Sequence, residues 1–393
     1  MSTGCFKPAV AACLLLALVM SACIDGPGGL ADSASWPDDS GQSLPEGNMA
    51  APEGVLLWNN RVFVANANFA YQGSSLVFGT GFITVIDALT GDVLNRIPLP
   101  FPNPQEMVIQ GGHLWVLCSG STEFDPESSL VTITESGGLA GIALAGIDVA
   151  GGADIRIPVP SPKGSIMGYP SGMLLDEDTL WLASGTAAAL FKADLGRAVI
   201  LRGPQDPMMI SSESGQNTVS IGPGPAGTMA AALFNQDTVM LIDKVDGRVL
   251  DTPWAPTQVG MDGQLDGILD IEFDDASGRI YLLLGMAGRV VSFDASGGPG
   301  TGVVEVAEAL VVPNRMKMMG GLLYVACSGD NSLVVIDPSG SFPSRRVGLP
   351  VNCNPWDLDV IDSGDSAEIW VSCLKSSSVV RVRTDDVAIL EIR

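Results

Sequence analysis

Six residues of this chain could do chemistry together: Glu53, Glu106, Asp266, Arg315, Trp356 and Asp357. Each stands within two residues of a proline or glycine at the start of a short apolar stretch, in "APEG", "NPQEM", "LDGIL", "PNRMK" and "NPWDL". Gathered carboxylates could hold Ca2+, which takes several oxygen ligands; Glu106, Asp266 and Asp357 are then the expected ligands. They could instead greet a cationic ligand against the ring face of Trp356. The competing assignment is that they solvate a wide opening and bind nothing specific. Other chemistries lack their residues. One histidine, His113, serves the whole chain and follows the turn-like "QGG". That excludes His-rich copper sites, haem with paired His ligands, and catalytic arrangements needing a second histidine. No glycine-rich phosphate loop, EF-hand spacing or Cys-x-x-Cys pair occurs, so no cofactor other than calcium is indicated.

What must position these residues is a repeat. An aromatic in an "x-W/Y/F-V"-type strand recurs at Phe63, Trp115, Trp181, Tyr281, Tyr324 and Trp370. An aspartate closing the following strand recurs at Asp87, Asp148, Asp194, Asp243, Asp294 and Asp337. Asp243 fills the double-length gap between Trp181 and Tyr281, so seven units of about fifty residues result, a period of propellers or solenoids. Within a unit, alternating apolar and polar residues separated by Gly, Asp and Asn turns give four short strands. "PNRMKMMGG", "LLYVACSG", "SLVVIDPSG" and "SRRVGLP" spell one unit out. The expected fold is all-β, a seven-bladed β-propeller of four-stranded antiparallel blades. The repeated aspartates read as turn residues whose carboxylates accept backbone N–H groups.

In such a blade the connections after the second and fourth strands emerge on one face. Here they are long: Asn66–Gly81, Ser119–Gly141, Val159–Gly168 and Pro253–Asp266. The connections on the other face are mostly tight turns, such as "WNN", "QGG" and "MGG". Long loops in a compact domain carry function, so the long-loop face is the expected working surface. The inner strands begin on that face, which brings the six residues together around the mouth of a central channel.

The sequence resembles the YVTN repeat family. "RVFVANA" followed by "ITVIDALTGDVLNRIPLPFPNP" carries the family's aromatic-Val-x-Asn, Val-Ile-Asp-x-x-Thr-Gly and terminal proline. The resemblance covers residues 51–393 and implies the propeller fold. Related propellers place acidic residues at the channel mouth for hydrolysis, which implies a rival role as a Ca2+-assisted lactonase or esterase with Glu106 or Asp357 as general base.

The first fifty residues are different. Ala9–Met20 is an apolar run too short to span a bilayer, preceded by Lys7 and ending in Met20-Ser21-Ala22-Cys23. This resembles the bacterial lipobox and implies cleavage before Cys23 and lipidation of its thiol; an ordinary secretory signal is the alternative. Ile24 in place of Asp does not signal inner-membrane retention, which leaves the outer membrane. Residues 1–22 are thus the expected signal peptide, 23–50 a Gly-, Pro-, Ser- and Asp-rich tether, and 51–393 the propeller. With 20 Lys and Arg against 44 Asp and Glu, the chain is unsuited to nucleic acid. The exported compartment permits disulfides. Cys327–Cys353 would tie unit six to unit seven, with Cys353–Cys373 as the alternative and four buried thiols, Cys118 included, as the third outcome. The expected function is a lipid-anchored envelope protein that binds a protein or small ligand, or assists assembly of a β-rich client.

Overall fold

The computed structural model describes residues 49–72, 75–125, 130–149, 152–212, 216–250, 265–296, 302–362, 367–383 and 390–392. The signal segment, Cys23 and most of the tether lie outside them.

Alternating apolar and polar residues between turns produce seven antiparallel sheets in chain order. Their innermost strands are Pro52–Trp58, Pro104–Gln110, Pro170–Asp176, Thr218–Pro223, Ile268–Asp274, Pro313–Met319 and Pro355–Asp362. Successive sheets pack face to face around an axis, and the first packs against the last, so the ring is a closed seven-bladed propeller. Six blades have at least four strands. Blade 4 has three among the described residues, Thr228–Leu233 and Thr238–Asp243 completing it.

The aromatic anchors fill the joints between blades. Phe63, Trp181 and Trp370 are fully buried. Blade 4 replaces the aromatic with Ala230, which packs with Leu282 and Ile271 of blade 5. Among the described residues no strand is exchanged at the seam between blades 7 and 1. Val55, Leu57, Val62 and Ile86 of blade 1 meet Trp370 and Val379 of blade 7 there. Arg381 stacks over Trp370 at 5.6 Å and donates from Nη1 to Ala88 O at 2.7 Å.

The turn aspartates behave as their position dictates. Asp87 Oδ1 accepts from Leu89 N–H and Thr90 N–H at 2.9 and 3.1 Å. Asp194, Asp243, Asp294 and Asp337 likewise accept backbone N–H groups. Asp148 is the exception. Strand Leu130–Ala143 ends on Ala143 opposite His113, so Asp148 lies five residues beyond the repeat position. There it clamps Arg61 of blade 1 with both oxygens, at 2.8 and 2.6 Å.

The two faces are unequal, as the loop lengths require. In blade 1 the second connection folds into an extra hairpin, Phe69–Gln72 with Ser75–Phe78. The stretch Ser119–Gly141, expected as a loop, continues strands His113–Asp125 and Leu130–Ala143 into a projecting ribbon. Segment 159–165 runs along the ribbon, Ile133 N–H donating to Ser165 O and Gly164 N–H to Ile133 O. Of the Pro253–Asp266 loop only the end is described.

The disulfide is Cys353–Cys373, with Cα atoms 4.4 Å apart, and not Cys327–Cys353. Leu374 N–H donates to Asn354 O and Lys375 N–H to Cys353 O. These bonds extend the blade 7 ladder past its first proline and seat Cys353 against its own blade's second strand. Cys118 and Cys327 are buried free thiols.

Candidate functional site

Every innermost strand breaks register at the same point. The irregularities fall at Pro52/Gly54, Pro104/Glu106, Pro170/Gly172, Thr218/Ser220, Ile268/Asp270, Pro313/Arg315 and Pro355/Leu358. Such a bulge re-aims the side chains around it. In six blades the residue just past it is Gly54, Glu106, Gly172, Ser220, Asp270 or Arg315; in blade 7 the break is one residue wider and Asp357 holds the matching position within it. Arg315 is the long cation of this ring and it binds across it. Its Nη2 lies 2.6 Å from Glu106 Oε1, its Nη1 3.8 Å from Asp270 Oδ1 and its Nε 3.7 Å from Asp357 Oδ1. One guanidinium thereby joins blade 6 to blades 2, 5 and 7.

The remaining oxygens are used too. Glu106 Oε2 accepts from Met173 N–H at 2.7 Å, Asp270 Oδ2 from Met316 N–H at 2.9 Å and Asp357 Oδ2 from Val55 N–H at 3.0 Å. Each carboxylate holds the backbone of the next blade with one oxygen and faces Arg315 with the other. Two residues further along, Lys317 of blade 6 sits among Glu272 of blade 5 and Asp359 of blade 7. Asp359 Oδ2 accepts from Leu57 N–H at 2.8 Å, a second bond across the seam.

Burial dominates the titration of this core. It pushes Glu272 up to about 8 against the pull of Lys317, and Asp357 up to about 7 against that of Arg315. Glu106 and Asp359 are raised for the same reason. Burial opposes the charge on Arg315, but Glu106, Asp270 and Asp357 together hold its pKa above the ordinary value.

The structure sorts the six expected residues. Glu106, Arg315 and Asp357 meet. Asp266 does not occupy the ring position of its blade: it precedes strand Ile268–Asp274, its N–H donates to Asp237 Oδ2 at 2.9 Å, and Asp270 takes the place assigned to it. Trp356 sits at the bulge and packs beside Ala51, Ala67, Phe69 and Leu374 at the seam. Glu53, also at the bulge, hydrogen-bonds to Gln105 of the next blade, which also bonds Tyr169. Tyr169 OH accepts from Asn103 Nδ2 at 3.1 Å. Asp270, Glu272, Lys317 and Asp359 were missed. Their signal was the charge at alternate positions in "DIE", "RMK" and "DLD".

These contacts constrain the chemistry. Glu106 and Asp357 each hold a neighbouring backbone N–H with one oxygen and face the Arg315 guanidinium with the other. Glu106, Asp266 and Asp357 do not fit a calcium site as placed, since Arg315 occupies the space between two of them. Among the described residues no group of three or more His, Cys, Asp or Glu side chains is arranged to hold a metal ion. His113 lies at a turn on the opposite face, its Nδ1 3.0 Å from Gly111 O.

Glu53 is a separate case. Its Oε2 is buried with no hydrogen-bond partner among the described residues, and burial pushes its pKa up to about 8. The ordinary value is lower, so between pH 4.5 and about 8 the unfolded chain ionises while the folded one keeps its proton. Stability from this group therefore falls as pH rises through that window. Glu53→Gln is expected to raise the denaturation midpoint at pH 8, change it little at pH 5, and flatten the difference between them. An unaltered pH dependence would show that Glu53 ionises normally.

No protein-family model and no curated protein sequence matches the chain. Solved structures do. Hydrazine synthase from Kuenenia stuttgartiensis is 15% identical with a TM-score of 0.61, covering 86% of this chain and 97% of that one. Virginiamycin B lyase from Staphylococcus aureus is 13% identical with a TM-score of 0.60, covering 84% and 94%. BamB from Moraxella catarrhalis is 12% identical with a TM-score of 0.50, covering 85% of each chain. At such identities the likeness establishes the propeller fold and nothing finer.

Proposed function

We propose that this chain is an exported, lipid-anchored binding or scaffold protein of the cell envelope, and that it works through the long-loop face of its YVTN-type propeller. The observation that carries the reading is where the structure spends its side chains. The charged residues of the axis are bonded to one another and to neighbouring blades. Two connections of one face are drawn out into a hairpin and a projecting ribbon, while most described connections of the other are short turns, the stretch between Ala143 and Ile155 being the longer exception. Loops raised on a rigid scaffold are the usual seat of recognition.

Charge placed on that face tests the reading. Ile166→Asp with Val311→Asp alters exposed apolar residues of two long-face connections, and Val149→Asp with Val245→Asp does the same on the opposite face. The first pair is expected to reduce partner cross-linking in intact envelopes at least tenfold, and the second to leave it unchanged. Equal yields from both pairs would remove the long-loop face from consideration. Intact mass of the Cys23 peptide reports the lipid separately.

A further inference from the structure

The described chain begins on the long-loop face. Met49 N–H donates to Phe69 O at 2.9 Å and Phe69 N–H returns a bond to Met49 O at 3.2 Å. Asn68 N–H donates to Ala50 O at 2.9 Å and Ala67 N–H to Ala51 O at 3.0 Å. Met49 also packs with Phe69, Phe78 and Trp356. The start of the propeller is thereby fastened to the extra hairpin of blade 1, at the rim of the face that carries the long connections.

Between Cys23 and Met49 lie 25 residues rich in Gly, Pro, Ser and Asp. Coil statistics give such a length a reach of about 30 Å. The blades are strands of six to eight residues, so the disc is about 20 Å deep. A tether leaving one face and shorter than a few disc depths biases that face toward its own anchor.

We infer that the long-loop face is turned toward the membrane and that its partner is a protein embedded in that membrane. The inference rests on the lipid anchor proposed above. A free soluble partner would gain nothing from this geometry, whereas one in the same bilayer is held at high effective concentration. The bilayer itself is a poorer occupant. The face exposes Glu123, Glu135 and Glu308, which anionic headgroups repel. Among the described residues its exposed large apolar side chains are Val77, Ile166, Met209, Met286, Val311 and Val351, scattered over several connections.

Two measurements on the full-length lipoprotein test this. In the first, a dye is placed by Val311→Cys on the long-loop face or by Val245→Cys on the opposite face; the native Cys118 and Cys327 are fully buried and stay unlabelled. In phosphatidylethanolamine–phosphatidylglycerol liposomes with acceptor-labelled headgroups, transfer from the first position is expected to exceed that from the second at least twofold. Equal or reversed transfer overturns the orientation. In the second, a photo-cross-linking side chain at Ile166 or Val311 is expected to trap one and the same membrane-embedded protein in intact envelopes, identified by mass spectrometry. Cys23→Ser should lower that yield at least tenfold. Adducts with phospholipid alone, with soluble proteins, or equally from Val149 and Val245 overturn the partner assignment. An unmodified Cys23 peptide and failure to bind liposomes would sink the anchor and this orientation with it, a result distinct from an anchored protein facing the wrong way.

Discussion

Arg315→Met is expected to cost about 3–5 kcal/mol of folding stability, the penalty of leaving buried charges without their counter-ion. The guanidinium answers Glu106, Asp270 and Asp357 from three other blades, and methionine fills comparable space without answering any of them. Because those carboxylates also hold Met173, Met316 and Val55 by their N–H groups, they cannot swing away without releasing three joints. Acid should soften the defect, since each carboxyl that takes a proton needs no partner. Adding Glu106→Gln, Asp270→Asn and Asp357→Asn to the Arg315→Met chain should recover most of the loss, because the amide oxygens still accept the backbone bonds. Denaturant midpoints of the single and quadruple variants at pH 5 and pH 8 decide the matter. A single variant within 1 kcal/mol of the parent, about the worth of an exposed ion pair, would mean that Arg315 is not what keeps these acids compatible with a closed ring.

The architecture was legible because a propeller is a repeat, and a repeat survives the loss of individual anchors. Ala230 stands where six other blades carry an aromatic, yet Asp243 still marked blade 4. The site was half legible, and the bulge explains which half. An inner strand shows where its charged residues are, but one extra residue at the proline decides which of two neighbours faces the axis. Glu106 and Arg315 fall past the bulge, Asp357 takes the matching position in the wider break of blade 7, and the three meet. Glu53 and Trp356 fall on it and turn into the joints between blades. Asp266 misses the ring because the strand in "LDGIL" begins only at Ile268, past the glycine. The ribbon of blade 2 was hidden by Gly and Ser in "CSGSTEF" and "ESGG", although "LVTIT" alternates as a strand should. Pairing, unlike periodicity, is a property of two segments at once.

The pairing of Cys353 with Cys373 carries the other large effect. The disulfide closes a loop with a sequence separation of 20, and chain-entropy arguments give about 3 kcal/mol for a loop of that size. Its position concentrates the effect. Among the described residues blade 7 is built from the last strands and blade 1 from the first, with no strand shared between them. The seam depends on Asp357 and Asp359 holding Val55 and Leu57, on Arg381 reaching Ala88, and on the apolar joint around Trp370. The disulfide fixes the start of the strand that carries those two aspartates to the end of its neighbour. Replacing both cysteines with alanine, which leaves no new thiol to mispair, is therefore expected to lower the midpoint by an amount equivalent to about 3 kcal/mol. Amide-exchange protection should fall first in blades 7 and 1, with blades 3 to 5 following only on global unfolding. Protection lost evenly around the ring would place the weak point elsewhere. A shift below 1 kcal/mol would show that the carboxylate bonds and the apolar joint close the propeller without covalent help.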